Sequence, residues 1–464
     1  MCCSFSISLP LLLLLLSFPS IPPSLSTNQN EKKKPPPNNM DPSELETLFN
    51  IMDTMSSDQT WRVSNPNPCD PASSWPGLEC KQGIDDTYLR VTRLDFGTPP
   101  SPSCKDTATF PPQIFVLPHL QSVFFFNCFT HTKTNISVPQ NRVFSSSLQQ
   151  LSLRSNPALI GSIPPQISSL KSLQILTLSQ NSLSGQIPAE IFSLSSLVHL
   201  DLSYNLLTDT IPYQIGNLKN LVGLDLSYNL LTGLIPPAIG ELGMLQKLDL
   251  SSNSLVGSIP DNIEKLTSLV FMALSNNKLG GEYPKGLAEL KSLQYFIMDD
   301  NPMFTSLPLE FGQLHKLQEL RLADSGLSGT IPQNFSQLIN LSTLSLQNNR
   351  LTGEIPVGLG RLSHIYHLNL SKNYLGGVVP FNSSFFKRLG RNLDLSGNAG
   401  LCLSPSEPYG VKIGGVGVCG SNNSSGSSMI PPINTSEAPS GFFKSCFLFG
   451  VLGVLELHQI YLSV

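Results

Sequence analysis

Charge is scarce in this sequence. Asp, Glu, Lys and Arg make up 13% of 464 residues, and the net charge is −4. The one basic run, lysines 32–34, is followed directly by three prolines and reads as a solvated linker, so the chain lacks the cationic footprint of a nucleic-acid-binding protein. Histidine is sparse as well: seven residues, scattered from His119 to His458. No CxxC pair or histidine cluster accompanies the cysteines, which argues against a metal site. There is no HExxH, GxSxG or Walker pattern. Residues 415–420 (GVGVCG) fit GxGxxG, but they follow no βαβ unit and include a cysteine, so no dinucleotide site is expected. Together these absences predict no catalysis, no cofactor and no metal.

Residues 9–16 read LPLLLLLL and are followed by small residues, which suits a secretory signal over 1–26 cleaved near residues 20–27, although its start lacks Lys and Arg. Of nine cysteines, Cys2 and Cys3 leave with such a signal and Cys446 lies in the C-terminal apolar tail. Six remain, an even number that in a secreted chain points to disulfides. Six cysteines allow 15 pairings. Their grouping into sequence neighbours favours Cys69–Cys80, Cys104–Cys128 and Cys402–Cys419.

The dominant feature is a repeat. LxxLxLxxN recurs at Leu173-Leu176-Leu178-Asn181, Leu197-Leu200-Leu202-Asn205 and Leu221-Leu224-Leu226-Asn229, and on through Asn253, Asn277, Asn301, Ser325, Asn349, Asn373 and Asn398. With Asn156 this makes about eleven units, mostly 24 residues apart, and a degenerate unit precedes them at Leu120-Val123-Phe125 with Cys128 in the asparagine slot. In LxL the leucines flank one outward residue, the alternation of a strand. No single unit can bury its leucines, so stacking must build the core. Eleven strands about 4.8 Å apart would form a concave wall of about 50 Å. The asparagine, turned inward, is expected to satisfy the backbone exposed by the turn.

A second signature, LxGxIP, follows each asparagine, as in Leu183-Gly185-Ile187-Pro188 and Leu351-Gly353-Ile355-Pro356. Glycine permits backbone that other residues resist, and proline interrupts regular helix. Residues 148–401 thereby resemble the plant-specific class of extracellular leucine-rich repeats. The resemblance implies an α/β horseshoe solenoid with a concave parallel sheet and convex loops and 3-10 turns, disulfide-capped at both ends.

Residues 41–147 read as an N-terminal cap with degenerate first repeats. Asp41 is expected to cap a helix over 41–55, with Pro42 at its first position, Glu44 closing a capping box, and Leu45, Leu48, Phe49, Met52 and Met55 on one face. Trp61 and Trp75 are read as cap core. DQTWRVSNPNPC, SSWPGLEC, RVTRLDFG and LPHLQSVFFFNCF resemble the plant receptor-like group of the Piriformospora indica-insensitive protein and Too Many Mouths. That resemblance implies a kinase-less cell-surface protein working through a receptor-kinase ectodomain or a secreted peptide. Residues 402–419 read as the C-terminal cap, 27–40 and 420–441 as linkers, and 442–464 as an apolar tail. This tail suits a GPI-attachment signal, with a transmembrane stub or free secretion as alternatives.

Eight N-x-S/T sequons, at Asn135, Asn334, Asn340, Asn369, Asn382, Asn422, Asn423 and Asn434, fit a secretory route. Asn369 falls on the concave side, where a glycan would block part of the wall. Outward strand positions supply the candidate partner contacts: Tyr204, Tyr228, Phe271, Tyr295, Asp299, Asp300, Glu319, Arg321 and Asp324. Within 293–325 the pattern decays to LQYFIMDDN, Phe304-Thr305-Ser306-Leu307-Pro308 and Ser325. Such departures mark functional sites or ordinary repeat decay. Two roles suit this surface: a receptor-like protein at the plasma membrane, or an apoplastic inhibitor of a secreted cell-wall-degrading enzyme, like the polygalacturonase inhibitors.

Overall fold

The computed structural model describes residues 39–58, 60–70, 75–82, 88–139, 147–405 and 414–420. The signal segment, nearly all of the 27–40 linker, the 421–464 linker and tail, and Asn422, Asn423 and Asn434 lie outside the described residues. Gly420 aside, the described residues belong to one unit ending at Cys419.

One strand per repeat pairs in register with its neighbours, as the period requires. Asp201, Asp225 and Asp249 are aligned on adjacent strands, as are Leu200, Leu224 and Leu248. The sheet has 14 strands, running from Leu78–Gln82 to Leu393–Asp394. This exceeds the eleven of the repeat count because the cap adds three: Leu78–Gln82, antiparallel to Leu89–Phe96, and then Ser122–Phe126. The rest of the wall is parallel. Its inner leucines, among them Leu176, Leu224, Leu320 and Leu344, are 0% exposed and share one continuous apolar core. On the other side, the proline of each IP pair precedes a five-residue 3-10 turn, as in Ala189–Ser193, Tyr213–Asn217 and Pro237–Glu241. These turns bury Ile191, Ile215 and Ile239 in that core.

The asparagines hold the turns as a ladder. Asn229 Nδ2 donates to the carbonyls of Leu202, Leu226 and Ser227 at 3.0–3.1 Å, while its Oδ1 accepts Leu207 N–H at 3.1 Å. One side chain thus closes its own turn and ties it to the preceding repeat.

The LxGxIP segments form lateral sheets that the repeat pattern had not announced: Asn156–Gly161 to Leu206–Thr208, Thr232–Leu234 to Lys278–Leu279, and Ser328–Thr330 onward. Both interruptions fall where the glycine slot, four residues after the asparagine, lacks glycine. Asp209 takes that slot with φ 67°, and beyond it the link shrinks to an isolated bridge, Thr210 to Thr232. Thr305 takes it in the other unit, and there the left-handed turn moves one residue earlier, to Phe304 at φ 47°. A β-branched residue resists positive φ. The next asparagine slot reinforces the change. Ser325 is too short to reach Met303 N–H, which turns instead to the backbone carbonyls of Asn301 (2.8 Å) and Ser325 (3.1 Å).

The N-terminal helix is Pro42–Met55, capped by Asp41 Oδ1, which accepts Ser43 N–H at 2.9 Å and Glu44 N–H at 3.2 Å. The expected capping box is not closed. Glu44 is 3% exposed, and its carboxylate accepts Val91 N–H and Arg90 Nη1, both at 3.1 Å, so it ties helix to sheet. Ile51 joins Leu48, Met52 and Met55 in the core, whereas Leu45 and Phe49 are only partly buried. Trp61 stacks on Trp75 at 6.2 Å, and Trp75, Phe96 and Phe125 continue edge to face into the repeats. Disulfides join Cys69 to Cys80, Cys104 to Cys128 and Cys402 to Cys419.

Candidate functional site

Each repeat offers the outside a short series of positions whose geometry the fold fixes. Two face out from the strand. The first series runs His199, Gly223, Lys247, Phe271, Tyr295, Glu319, Thr343, His367, and the second Asp201, Asp225, Asp249, Ala273, Ile297, Arg321, Ser345, Asn369. Beyond the strand, the residue before the asparagine adopts left-handed backbone in every unit from Asn127 to Lys372 and forms a rim beside the wall.

Tyr204 and Tyr228 sit on this rim, past the strand ends, rather than at outward strand positions. Asp300 and Asp324 occupy the same slot. The two tyrosine rings stack at 4.1 Å with planes 9° apart, and they are 44% and 38% exposed. A bulky side chain at positive φ is uncommon; here the asparagine ladder dictates the backbone, so residue type at this slot is free of structural duty. Leu206 and Leu230, one residue past the asparagine, extend the apolar surface with exposures of 50% and 53%.

Under the tyrosines run the aligned aspartates. Asp201 and Asp225 each accept the amide and hydroxyl of the serine two residues on, and Asp249 accepts Ser251 N–H. Lys247 Nζ donates to Asp225 Oδ2 at 2.9 Å and lies 5.9 Å from the Phe271 ring. Burial, with Asp225 alongside, pushes the Asp249 carboxyl up to about 7. Burial also raises Asp201, and it lowers His199, helped by Lys247.

Further along, Phe271 and Tyr295 pair on adjacent strands with rings 6.1 Å apart, and Tyr295 OH donates to Gln318 Oε1 at 3.2 Å. Asp299, offered by the sequence as a contact, is 7% exposed. It accepts Arg321 Nε at 2.8 Å and Ala323 N–H at 2.7 Å. It therefore positions Arg321, which also faces Glu319 at 3.8 Å, and is itself largely shielded from solvent. Asp300 and Asp324 remain exposed. Partial shielding, then the carboxylates of Asp324 and Asp299, push Asp300 above its usual range.

Sequence reasoning missed three rim neighbours, Asn348, Arg350 and Tyr374, which face the same cleft as Asp300, Phe304 and Asp324. Their constant spacing from Asn349 and Asn373 was the available signal. Among the sequons, Asn369 lies on the wall, where its Oδ1 accepts Ser371 N–H and Oγ. Asn135, Asn340 and Asn382 are exposed. Asn334 is partly buried, with Nδ2 bonded to Leu309 O at 2.7 Å. Among the described residues no group of His, Cys, Asp and Glu has the arrangement of a metal site, and no helix is long and apolar enough to cross a membrane.

Models of the leucine-rich-repeat family match residues 146–207 and 204–255, and again 316–338 and 340–362. Among curated relatives, Receptor like protein 29 of Arabidopsis thaliana is 69% identical over 142 residues, 31% of this chain and 30% of the relative. Piriformospora indica-insensitive protein 2 of the same plant is 33% identical over 147 residues, 31% of this chain and 34% of the relative. The chain thus spans about a third of the length of the curated relatives it matches. Among solved structures, PEPR1-AtPEP1 superposes with a TM-score of 0.64 at 30% identity, covering 79% of this chain and 49% of that one. The Arabidopsis receptor kinase HAESA, in complex with the peptide hormone IDA and the co-receptor SERK1, gives 0.62 at 27%, covering 78% and 62%. A leucine-rich-repeat protein of Leptospira interrogans gives 0.54 at 35%, covering 66% and 73%.

Proposed function

Since the chain belongs to the leucine-rich-repeat proteins, of the plant receptor-like kind, we propose that it is a kinase-less receptor-like protein. It binds a secreted peptide or a partner ectodomain along its concave wall and rim, and passes the signal through a receptor kinase at the outer face of the plasma membrane. The observation that carries this reading is a division of labour. Leucines and the asparagine ladder meet the fold's own needs, which leaves the rim positions without structural duty. Those are the positions where the chain departs from its repeat: stacked Tyr204 and Tyr228, and paired Asp300 and Asp324. The HAESA complex, with peptide and co-receptor both on a solenoid of this kind, supports a binding rather than a catalytic role.

The test is affinity capture from plant membranes with the full chain, compared with a variant carrying Tyr204→Ser and Tyr228→Ser. Serine already fills this slot at Ser252, so the variant keeps the backbone. Capture of a receptor-kinase ectodomain by the wild type, reduced at least tenfold in the variant, is the expected result. Recovery of a secreted wall-degrading enzyme in its place would favour the inhibitor role.

A further inference from the structure

A cleft lies at the break in the lateral sheet. Its volume is about 530 Å³, and its lining includes Asp300, Phe304, Asp324, Asn348, Arg350 and Tyr374. Phe304 is 64% exposed and Tyr374 70%, so two aromatic faces meet solvent beside two carboxylates on adjacent rungs. Gly326 makes the first of these possible: a Cβ there would stand 2.5 Å from the Phe304 ring.

Charge in the cleft is not balanced from within. Arg321 on the wall is engaged by Asp299 and Glu319. Arg350 lies over the Phe304 ring, 5.6 Å from its centroid. Asp324 accepts an amide hydrogen from Asn348, which is neutral. Asp300 and Asp324 thus outnumber the one cation lining the cleft.

From this we infer that the cleft is a docking subsite for an extended segment of the partner bearing a lysine or arginine next to an aromatic side chain. The cation sits between Asp300 and Asp324, the ring packs on Phe304 or Tyr374, and Arg350 donates to the segment's backbone carbonyls. Cations beside carboxylates, with aromatic faces alongside, are the interactions such a site rewards. The inference rests on the binding role proposed above and assigns part of it to a particular chemistry.

The experiment is a saturation-transfer-difference titration of the purified full chain with three acetylated, amidated pentapeptides: Gly-Trp-Arg-Gly-Gly, Gly-Trp-Gln-Gly-Gly and Gly-Trp-Glu-Gly-Gly. The arginine peptide is expected to bind at least tenfold more tightly than the other two. Asp300→Asn with Asp324→Asn should abolish that preference, and the fold tolerates it, because Asn276 and Asn348 fill the same slot. Tyr204→Ser with Tyr228→Ser should leave the preference intact. Equal binding of the glutamate peptide, an arginine peptide indifferent to the Asp300 and Asp324 changes, or no binding by the arginine peptide would each overturn the proposal. Membrane capture keeps the two readings separate: a partner held as tightly by the Asp300 and Asp324 variant as by the wild type removes the cleft and leaves the wall, whereas loss of all capture by the wild type removes the wall reading itself.

Discussion

The Tyr204 and Tyr228 rings lie parallel, 4.1 Å apart, each on a left-handed backbone that the adjoining asparagine turn imposes. A stacked pair contributes about 0.5–1.5 kcal/mol beyond its buried area, little against a core of this length. Tyr204→Ser with Tyr228→Ser is therefore expected to cost this pair term plus about 1 kcal/mol for the buried part of each ring, about 2–4 kcal/mol in denaturant unfolding, while lowering partner capture at least tenfold. A large loss of stability would show that the pair serves the fold.

Asn229→Ala should act in the opposite sense. It leaves Leu207 N–H without its acceptor and removes one of two donors from each of three carbonyls, since Leu202 O keeps Asn205 Nδ2, Leu226 O keeps Asn253 Nδ2 and Ser227 O keeps Tyr204 N–H. One buried N–H left unpaired costs about 1–3 kcal/mol, and the three weakened carbonyl contacts add to it, so a loss of about 3 kcal/mol is expected, with the partner site unchanged where the protein remains folded. Urea unfolding followed by capture at low temperature separates the two effects.

Asp249 makes the wall sensitive to pH. Its carboxyl, ordinarily near 3.9, is raised to about 7 in the fold. The folded state therefore holds a proton that the unfolded chain has released. That stabilisation is complete below about pH 4 and is lost as pH rises through 7. Asp249→Asn keeps the acceptor for Ser251, as Asn369 does for Ser371. Its stability relative to the wild type should rise between pH 5 and pH 8, as read by thermal unfolding across that range. A flat difference would show that Asp249 titrates normally.

Glycan mapping by mass spectrometry should find Asn382 modified and Asn334 bare. Asn382 is exposed, and it caps the Ser383–Leu389 helix through Oδ1, which leaves Nδ2 for the sugar. The Asn334 amide is packed so closely on Gly312 that a Cβ there would lie 2.4 Å from it. An occupied Asn334 would mean that this repeat opens before it closes.

The period made the wall legible because leucine burial has one stacked solution, and the asparagine ladder followed from the need to satisfy a buried amide. The cap strands Leu78–Gln82 and Leu89–Phe96 were not legible, since they carry no repeat. The lateral sheets were hidden for another reason: their strands depend on glycine in one slot, and the effect of Thr305 and Ser325 shows only when neighbouring turns are laid side by side. Glu44 misled because a glutamate three residues after an N-cap can turn to the cap or to a sheet edge, and Val91 N–H, distant in sequence, won it. Asp299 misled likewise: its exposure depended on Arg321, one repeat away. The rim tyrosines were found by composition, but their place beyond the strand depended on the left-handed turn.

Partners are expected to meet the wall and rim rather than the convex side. A photoreactive benzoylphenylalanine placed at Leu230, 53% exposed and two residues from Tyr228, tests it in intact plant membranes against the same probe at Met244, also 53% exposed but following the 3-10 turn Pro237–Glu241. Binding at the wall and rim predicts a crosslinked partner ectodomain from Leu230 and none from Met244. Crosslinking from Met244 with none from Leu230 would contradict it.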